Sequence, residues 1–305
     1  MKILLTGKNG QIGGELATLL PQLGDVVAVD LAQMDLARPA EIRQGVAEQR
    51  PDVIVNTAAY TAVDLAEKEE EQARIINTDA PGLLAEEAKK IGALLIHYST
   101  DYVFDGSKKS PYLEYDATNA MSVYGKTKLE GEKAIQESGA DYLILRTAWV
   151  YGSRGKNFLL TILRLASERE ELRIVRDQIG APSWSRAIAK ATTEVLAKVG
   201  RKAGSSQPLH EIYHMTAAGE TSWFDFAESI LAHAYQAASK SSWMEIATKG
   251  RPLLARPVVT ITTEEYPTPA LRPAYSVLSN AKLARDFGIT LPAWQRQLSE
   301  VFEGF

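Results

Sequence analysis

The chain predicts a doubly wound α/β fold, a parallel sheet covered by helices on both faces. Two observations carry that expectation. Short apolar runs alternate with amphipathic helical patterns through the first half, and a glycine-rich turn, Thr6-Gly-Lys-Asn-Gly10-Gln-Ile-Gly13, joins the first run to the first helix. The runs Lys2 to Thr6, Val26 to Asp30, Val53 to Asn56, Ala93 to Tyr98 and Tyr142 to Arg146 read as buried strands. Helices are expected between them at Gln11 to Leu20, Pro39 to Gln49, Glu71 to Ile91 and Ser122 to Ser138. After Trp149 the pattern changes. Helices at Asn157 to Glu168, Ser185 to Val199 and Ser222 to His233 mix with short strands near Leu172 to Arg176 and Glu211 to Met215. This half is expected to complete the sheet and add a cap. Arg201 to Pro208 reads as a surface loop, and Pro267 to Pro273 as an extended segment, because its three prolines exclude a helix.

At 305 residues, 45% of them hydrophobic, the chain can build its core without covalent staples. It has no cysteine, which excludes disulfides, thiolate metal sites and cysteine nucleophiles. The net charge of -4 is spread over helices of mixed sign, so neither a nucleic-acid groove nor a membrane-binding face is expected. No apolar run approaches membrane-spanning length, and Met1 to Thr6 enters a strand at once. A soluble cytoplasmic protein with a small-molecule partner is the expectation.

The glycine turn indicates what kind of small molecule. Gly7, Gly10 and Gly13 stand where the backbone must turn tightly and approach a phosphate, with helix N–H groups facing the anion. Asp30, at the end of the second strand, can accept hydrogen bonds from an adenosine ribose and repels a 2′-phosphate. That favours NADH, with Lys8 as a countercharge that would admit NADPH. After the third strand, Asn56-Thr-Ala-Ala-Tyr60-Thr61 supplies small residues at a strand's C-terminal end, where ligands of open α/β sheets bind. A Rossmann-like dinucleotide-binding domain over residues 1–150 follows, with residues 151–305 mainly a smaller substrate-binding cap.

Tyr124-Gly-Lys-Thr-Lys128 supplies the reactive pair. Residues four apart share a helix face, so the ammonium of Lys128 is expected beside the phenol of Tyr124. A free tyrosine has a pKa of about 10, and a nearby cation lowers it. Tyr124 could then protonate a carbonyl oxygen receiving hydride, or deprotonate an alcohol giving hydride up. The fourth strand ends in His97-Tyr-Ser-Thr100-Asp-Tyr-Val-Phe104, which brings hydroxyls to the same edge of the sheet. Side chains alternate along an extended strand end, so one of Ser99 and Thr100 faces the cofactor, and Thr100 is the choice. The four histidines are scattered without metal spacing and are expected in core or surface roles.

Thr100, Tyr124 and Lys128 together resemble the short-chain dehydrogenase/reductase superfamily, in its extended branch acting on nucleotide sugars. The resemblance narrows over several blocks: the glycine turn, Ala58 to Glu67, Tyr98 to Gly106, Tyr124 to Glu132, Arg146 to Gly152, Asp177 to Pro182 and Thr268 to Pro273. In this order they resemble the dTDP-4-dehydrorhamnose reductase family, which reduces the C4 ketone of dTDP-4-dehydro-L-rhamnose to dTDP-L-rhamnose with NADH or NADPH. The resemblance implies that Tyr124 is the proton donor, that Lys128 holds the nicotinamide ribose and acidifies Tyr124, and that Thr100 orients the ketone. It places Gly10, Gln11 and Ile12 at the pyrophosphate, with Asp30, Asp35, Leu36, Ala59, Tyr60, Thr61 and Tyr98 along the rest of the cofactor. Thr100, Asp101 and Trp149 would contact the sugar. Tyr60 stands where some members carry a histidine. A homodimer is open, since some members form magnesium-bridged dimers through glutamates and Glu15 sits at a matching place; one carboxylate does not make a metal site, and none is expected. Two other readings stand beside the reductase. A nucleotide-sugar epimerase, dehydratase or UDP-sugar reductase would keep the same tyrosine and lysine, whereas a non-catalytic regulatory subunit would have no chemical need for them.

Overall fold

Parallel strands buried on both faces carry apolar side chains at successive positions, and the central strands here do so. The computed structural model describes residues 1–200, 209–237, 241–255 and 257–304. Six strands, β1 (Lys2–Thr6), β2 (Asp25–Val29), β3 (Val53–Asn56), β4 (Leu94–Thr100), β5 (Tyr142–Thr147) and β6 (His210–His214), form one parallel sheet in the order β6-β5-β4-β3-β1-β2. Alternate residues feed two cores. Ile3, Leu5, Val53, Val55, Leu143 and Leu145 point to one, shared with Leu16 of helix α1 (Gln11–Leu19) and Val195 of helix α5 (Ser185–Gly200). Leu4, Ile54 and Ile144 point to the other. There they meet Ile42 of α2 (Pro39–Gln49), Leu84 of α3 (Ala80–Ile91) and Ile135 of α4 (Val123–Ser138).

Two expected boundaries move. β4 runs on to Thr100, because Ser99 and Thr100 still pair with Arg146 and Thr147 of β5. The expected helix Glu71 to Ile91 is interrupted: Glu70–Arg74 leads into a π-helical turn, Ile75–Asp79, before α3 begins. Pro81 has no N–H to return to the Asn77 carbonyl four residues back, so the α-helical ladder cannot close there. The side chain of Asn77 then bonds outside its own helix, accepting from Tyr60 N–H (2.9 Å) and donating to the Tyr60 carbonyl (3.0 Å) and Thr127 Oγ1 (3.2 Å).

The second half partly returns to the sheet. β6 extends it beyond β5, while Leu172–Val175 pairs in parallel with Val258–Ile261 in a separate two-stranded sheet. The Trp223–Gln236 helix, Ala281–Phe287 and Trp294–Glu303 bury Phe226, Leu283, Trp294 and Leu298 in the first core. The last two helices, Ser242–Thr248 and the strand Val258–Ile261 were not expected from the sequence. The loop expected at Arg201 to Pro208 lies outside the described residues. Among the described residues no helix is long and apolar enough to cross a membrane.

Candidate functional site

The strand order reverses between β1 and β3, and in open α/β sheets ligands bind outside the C-terminal strand ends at such a point. Gly7, Asp30, the loop after Asn56, Asp101 and Trp149 all follow C-terminal ends of neighbouring strands. The glycines fit close backbone approach: Gly7 has φ +75°, and a Cβ on Gly13 would lie 2.1 Å from the Gly7 carbonyl oxygen. Gly10 is the N-cap residue of α1, whose first turn holds no acidic side chain, so its N–H groups remain suited to an anion. Asp30 stands beside this turn, its carboxylate accepting from the N–H groups of Asn9 and Leu31 (2.8 Å each). Lys8 donates to the Ala28 carbonyl (3.2 Å) and supplies no ion pair to Asp30. Gln11 ties the turn to the segment after β5, donating to the Val150 carbonyl (3.4 Å) and accepting from Asn157 Nδ2 (2.9 Å), and Ile12 packs against the first core. Glu15 is 8% exposed and lies 3.6 Å from the Arg154 guanidinium.

Two residues expected at the cofactor have buried side chains. Leu36 is buried with Met34, Ile42 and Val46, because the tight turn in which Arg38 N–H donates to the Asp35 carbonyl (2.9 Å) directs the leucine inward. Asp35 remains at the rim, accepting from Ala37 N–H (2.9 Å). Tyr98 also packs in the core, its hydroxyl paired with Thr192 Oγ1 of α5 (2.6 Å); what it offers the site is its carbonyl. Ala59, Tyr60 and Thr61 lie in the partly open loop after β3. The Tyr60 hydroxyl donates to Glu69 (2.7 Å), and that bond to a carboxylate pushes its pKa up to about 12.

Helix α4 starts on a capped turn: Ser122 Oγ accepts from Gly125 N–H (3.1 Å), and Glu67 accepts from Val123 N–H (2.9 Å). Tyr124 and Lys128 follow in its first two turns. Ser99 and Thr100 face opposite ways, as strand alternation requires. Ser99 Oγ donates to Glu132, which forms a buried two-point ion pair with Arg146 (2.9 and 2.7 Å). Thr100 donates to Asp101 Oδ1 (3.0 Å), accepts from Tyr102 N–H (3.2 Å), and adjoins the Tyr124 phenol. Lys128 is almost fully buried, donating to the Tyr98 carbonyl (2.6 Å) with its Nζ 3.0 Å from His97 Nε2.

Burial pushes the Tyr124 phenol up to about 12, the Asp101 carboxylate adds to the rise, and only the Thr100 hydroxyl opposes it. Burial brings the pKa of Lys128 down to about 8, with the Glu132 carboxylate opposing that fall.

At the sugar side, burial raises Asp101 to about 6, and its Oδ2 has no hydrogen-bond partner among the described residues. Trp149 takes a left-handed conformation (φ +47°) that only a fixed environment holds in so bulky a residue. Its indole stacks on Trp223, with centroids 3.4 Å apart and planes 3° from parallel. Gly180 leaves room for it, since a Cβ there would lie 2.3 Å from the indole. Ser276 reaches Asp101 from the C-terminal segment, and Arg272 pairs with Asp64 (2.7 and 3.0 Å), fastening the Pro267 to Pro273 segment near Tyr102. Sequence reasoning missed His97, Trp223 and Ser276. Trp223 opens the helix expected near Ser222, and that was its only local signal.

Comparisons with known proteins place the chain in a family. A family model described as RmlD substrate binding domain matches residues 1–305. A dTDP-4-dehydrorhamnose reductase of Burkholderia thailandensis is 50% identical over 295 residues, 97% of this chain and 96% of that protein. The crystal structure of a dTDP-4-dehydrorhamnose reductase from Clostridium acetobutylicum superposes with a TM-score of 0.87 at 36% identity, covering 99% of each chain. A structure of the Bacillus anthracis enzyme in complex with NADP gives 0.85 at 32% identity, over 100% of this chain and 99% of that one. On the match of the whole chain and these full-length relatives, the chain belongs to the RmlD substrate-binding-domain family.

Proposed function

We propose that this protein reduces the C4 ketone of dTDP-4-dehydro-L-rhamnose to dTDP-L-rhamnose with NADH or NADPH. The observation that carries the reading is the meeting of Thr100, Tyr124 and Asp101 at the sheet edge that also bears the glycine turn and Asp30. The nicotinamide supplies hydride when bound. Thr100 and Tyr124 bind the ketone oxygen, and Tyr124 gives it the proton that completes the alcohol. Asp101 Oδ2 accepts from a sugar hydroxyl, which gives that buried oxygen the partner it lacks. Trp149, backed by Trp223, covers the apolar side of the hexose. Lys128 faces the nicotinamide ribose. Asp30 accepts from the adenosine ribose, and NADP in the Bacillus anthracis relative supports a site that also admits the phosphorylated cofactor.

Loss of nicotinamide absorbance with dTDP-4-dehydro-L-rhamnose generated in place tests this reading. One cofactor oxidised per hexulose consumed is the expected result. Conversion of a nucleotide sugar without net oxidation would make the protein an epimerase.

A further inference from the structure

Residues 267–278 form a strap whose two ends are held differently. Downstream, the backbone carries the attachment. The Ala274 carbonyl accepts from Ile179 N–H, Ser276 N–H donates to the Ile179 carbonyl, and the Val277 carbonyl accepts from Tyr112 N–H (2.8 Å each). In the middle, the turn after β4 presses on the strap, since a Cβ on Gly106 would lie 2.7 Å from Pro273 Cα. Upstream, Pro267 and Pro269 have no N–H to donate. Among the described residues, every hydrogen bond from residues 267–272 to another segment ends on Asp64. Its Oδ1 accepts from Ala270 N–H (3.3 Å) and Arg272 Nη1 (3.0 Å), and its Oδ2 accepts from Arg272 Nη2 (2.7 Å). The guanidinium also donates to Thr268 Oγ1 (2.5 Å) and the Ala270 carbonyl (3.1 Å), folding the upstream end around one fork.

We propose that Asp64 and Arg272 are positioning residues, whose ion pair clasps the strap and so preforms the sugar site beside it. The proposal deepens the reading above and rests on it for the sugar itself. The strap reaches both groups assigned to the hexose. Ser276 bonds to Asp101, and Ile179, paired with the strap at Ala274 and Ser276, precedes the Gly180 that makes room for the Trp149 indole. The clasp also ties the strap to the cofactor side, because Asp64 lies in the short helix Val63–Ala66, directly after the loop bearing Ala59, Tyr60 and Thr61. Its hydrogen bonds to Arg272 hold the Asp64 carboxyl below the usual carboxylate range, so the pair stays charged at neutral pH. The two side chains are 21% and 42% exposed, where an ion pair adds little to global stability. Its loss is therefore felt in the strap and not in the sheet.

Hydrogen exchange of the ligand-free protein, read by mass spectrometry, and steady-state kinetics test this on Asp64→Asn, Arg272→Gln and the double variant. Exchange should quicken by about tenfold in peptides covering the strap and Ile179–Gly180, and stay as in the wild type over β4 and α4. Each single variant should raise KM for dTDP-4-dehydro-L-rhamnose by about tenfold, while KM for NADH stays within about twofold. The double variant should do no more harm than either single one, since all three remove the same pair. Unchanged exchange in the strap, exchange quickened over the whole chain, equal rises in both KM values, or additive losses in the double variant would each overturn the proposal. Should Arg272→Gln fail to fold, Asp64→Asn decides alone, because it keeps the size of the side chain. Absent nicotinamide oxidation in the wild type would sink the reductase reading, and the exchange of the ligand-free protein would still decide the clasp.

Discussion

Tyr124 is the residue on which the proposed chemistry turns. Tyr124→Phe removes only the hydroxyl, so kcat should fall by about 10²–10⁴-fold, the usual contribution of a general acid, while NADH affinity stays within about twofold. Turnover near the wild-type value with chemistry rate-limiting would remove Tyr124 from the mechanism. Asp101 makes a different prediction, about stability. Its folded carboxyl, raised to about 6, holds a proton more tightly than the unfolded one, at about 3.9. Rising pH therefore destabilises the folded state across that window, and the full penalty applies above it. Urea unfolding should show Asp101→Asn gaining on the wild type between pH 4 and pH 8, by up to roughly 3 kcal/mol. An equal difference at both pH values would mean that the carboxylate is not strained by burial. Under the proposed function Asp30 accepts from the adenosine ribose, so Asp30→Ser should move the ratio of kcat/KM values toward NADPH by about tenfold, near 1.4 kcal/mol of ribose recognition. An unchanged ratio would place Asp30 off the ribose. The positions of Tyr124, Lys128, Thr100 and Asp30 near element ends were legible in the sequence, since each is a distinctive residue type beside a strand or helix boundary. The contact of His97 with Asn56 was not legible, because the two lie forty-one positions apart and are adjacent only through strand pairing.

Helix α4 owes its place to what lies under it. The Glu132–Arg146 pair joins it to β5 with both side chains at most 3% exposed. Removing one partner leaves an uncompensated buried charge, so Glu132→Ala should destabilise by about 3–5 kcal/mol in denaturant unfolding. A loss below about 1 kcal/mol would show that the pair adds little. The indole stack belongs to this scale too, since Gly180, Trp149 and Trp223 come from three separate segments. Gly180→Ala should displace Trp149 and weaken sugar-nucleotide binding by tenfold or more, with NADH affinity unchanged. Equal losses for both ligands would return Trp149 to a packing role. Helical spacing gave the shared face of Tyr124 and Lys128, and strand alternation separated Ser99 from Thr100. Pro81, which opens the helical ladder, was visible in the sequence, but the π-helical turn was not read because the bonds that Asn77 makes to Tyr60 and Thr127 lie outside its own helical window. The burial of the Tyr98 side chain was hidden for a related reason: a strand buried on both faces shows no alternation to say which way each side chain turns.

Across the whole molecule, the first half was readable because each parallel strand is a compact apolar run bounded by its own helix. The second half was less so. Its short strands pair across long separations, Leu172–Val175 with Val258–Ile261, and Ser276 returns to Asp101 at the catalytic edge from near the chain's end. Such contacts leave no local period to read. Together the two halves bring the glycine turn, Tyr124 and the Trp149–Trp223 stack to the C-terminal strand ends, and under the proposed function hydride passes there from the nicotinamide to C4 of the hexulose. Transfer from NADH deuterated on the reactive face of its nicotinamide C4, followed by nuclear magnetic resonance of the purified sugar nucleotide, tests it most directly. The account predicts dTDP-L-rhamnose with one deuterium at C4 for each NADH oxidised. Deuterium at another carbon, or a product formed without label and without NADH oxidation, would contradict it.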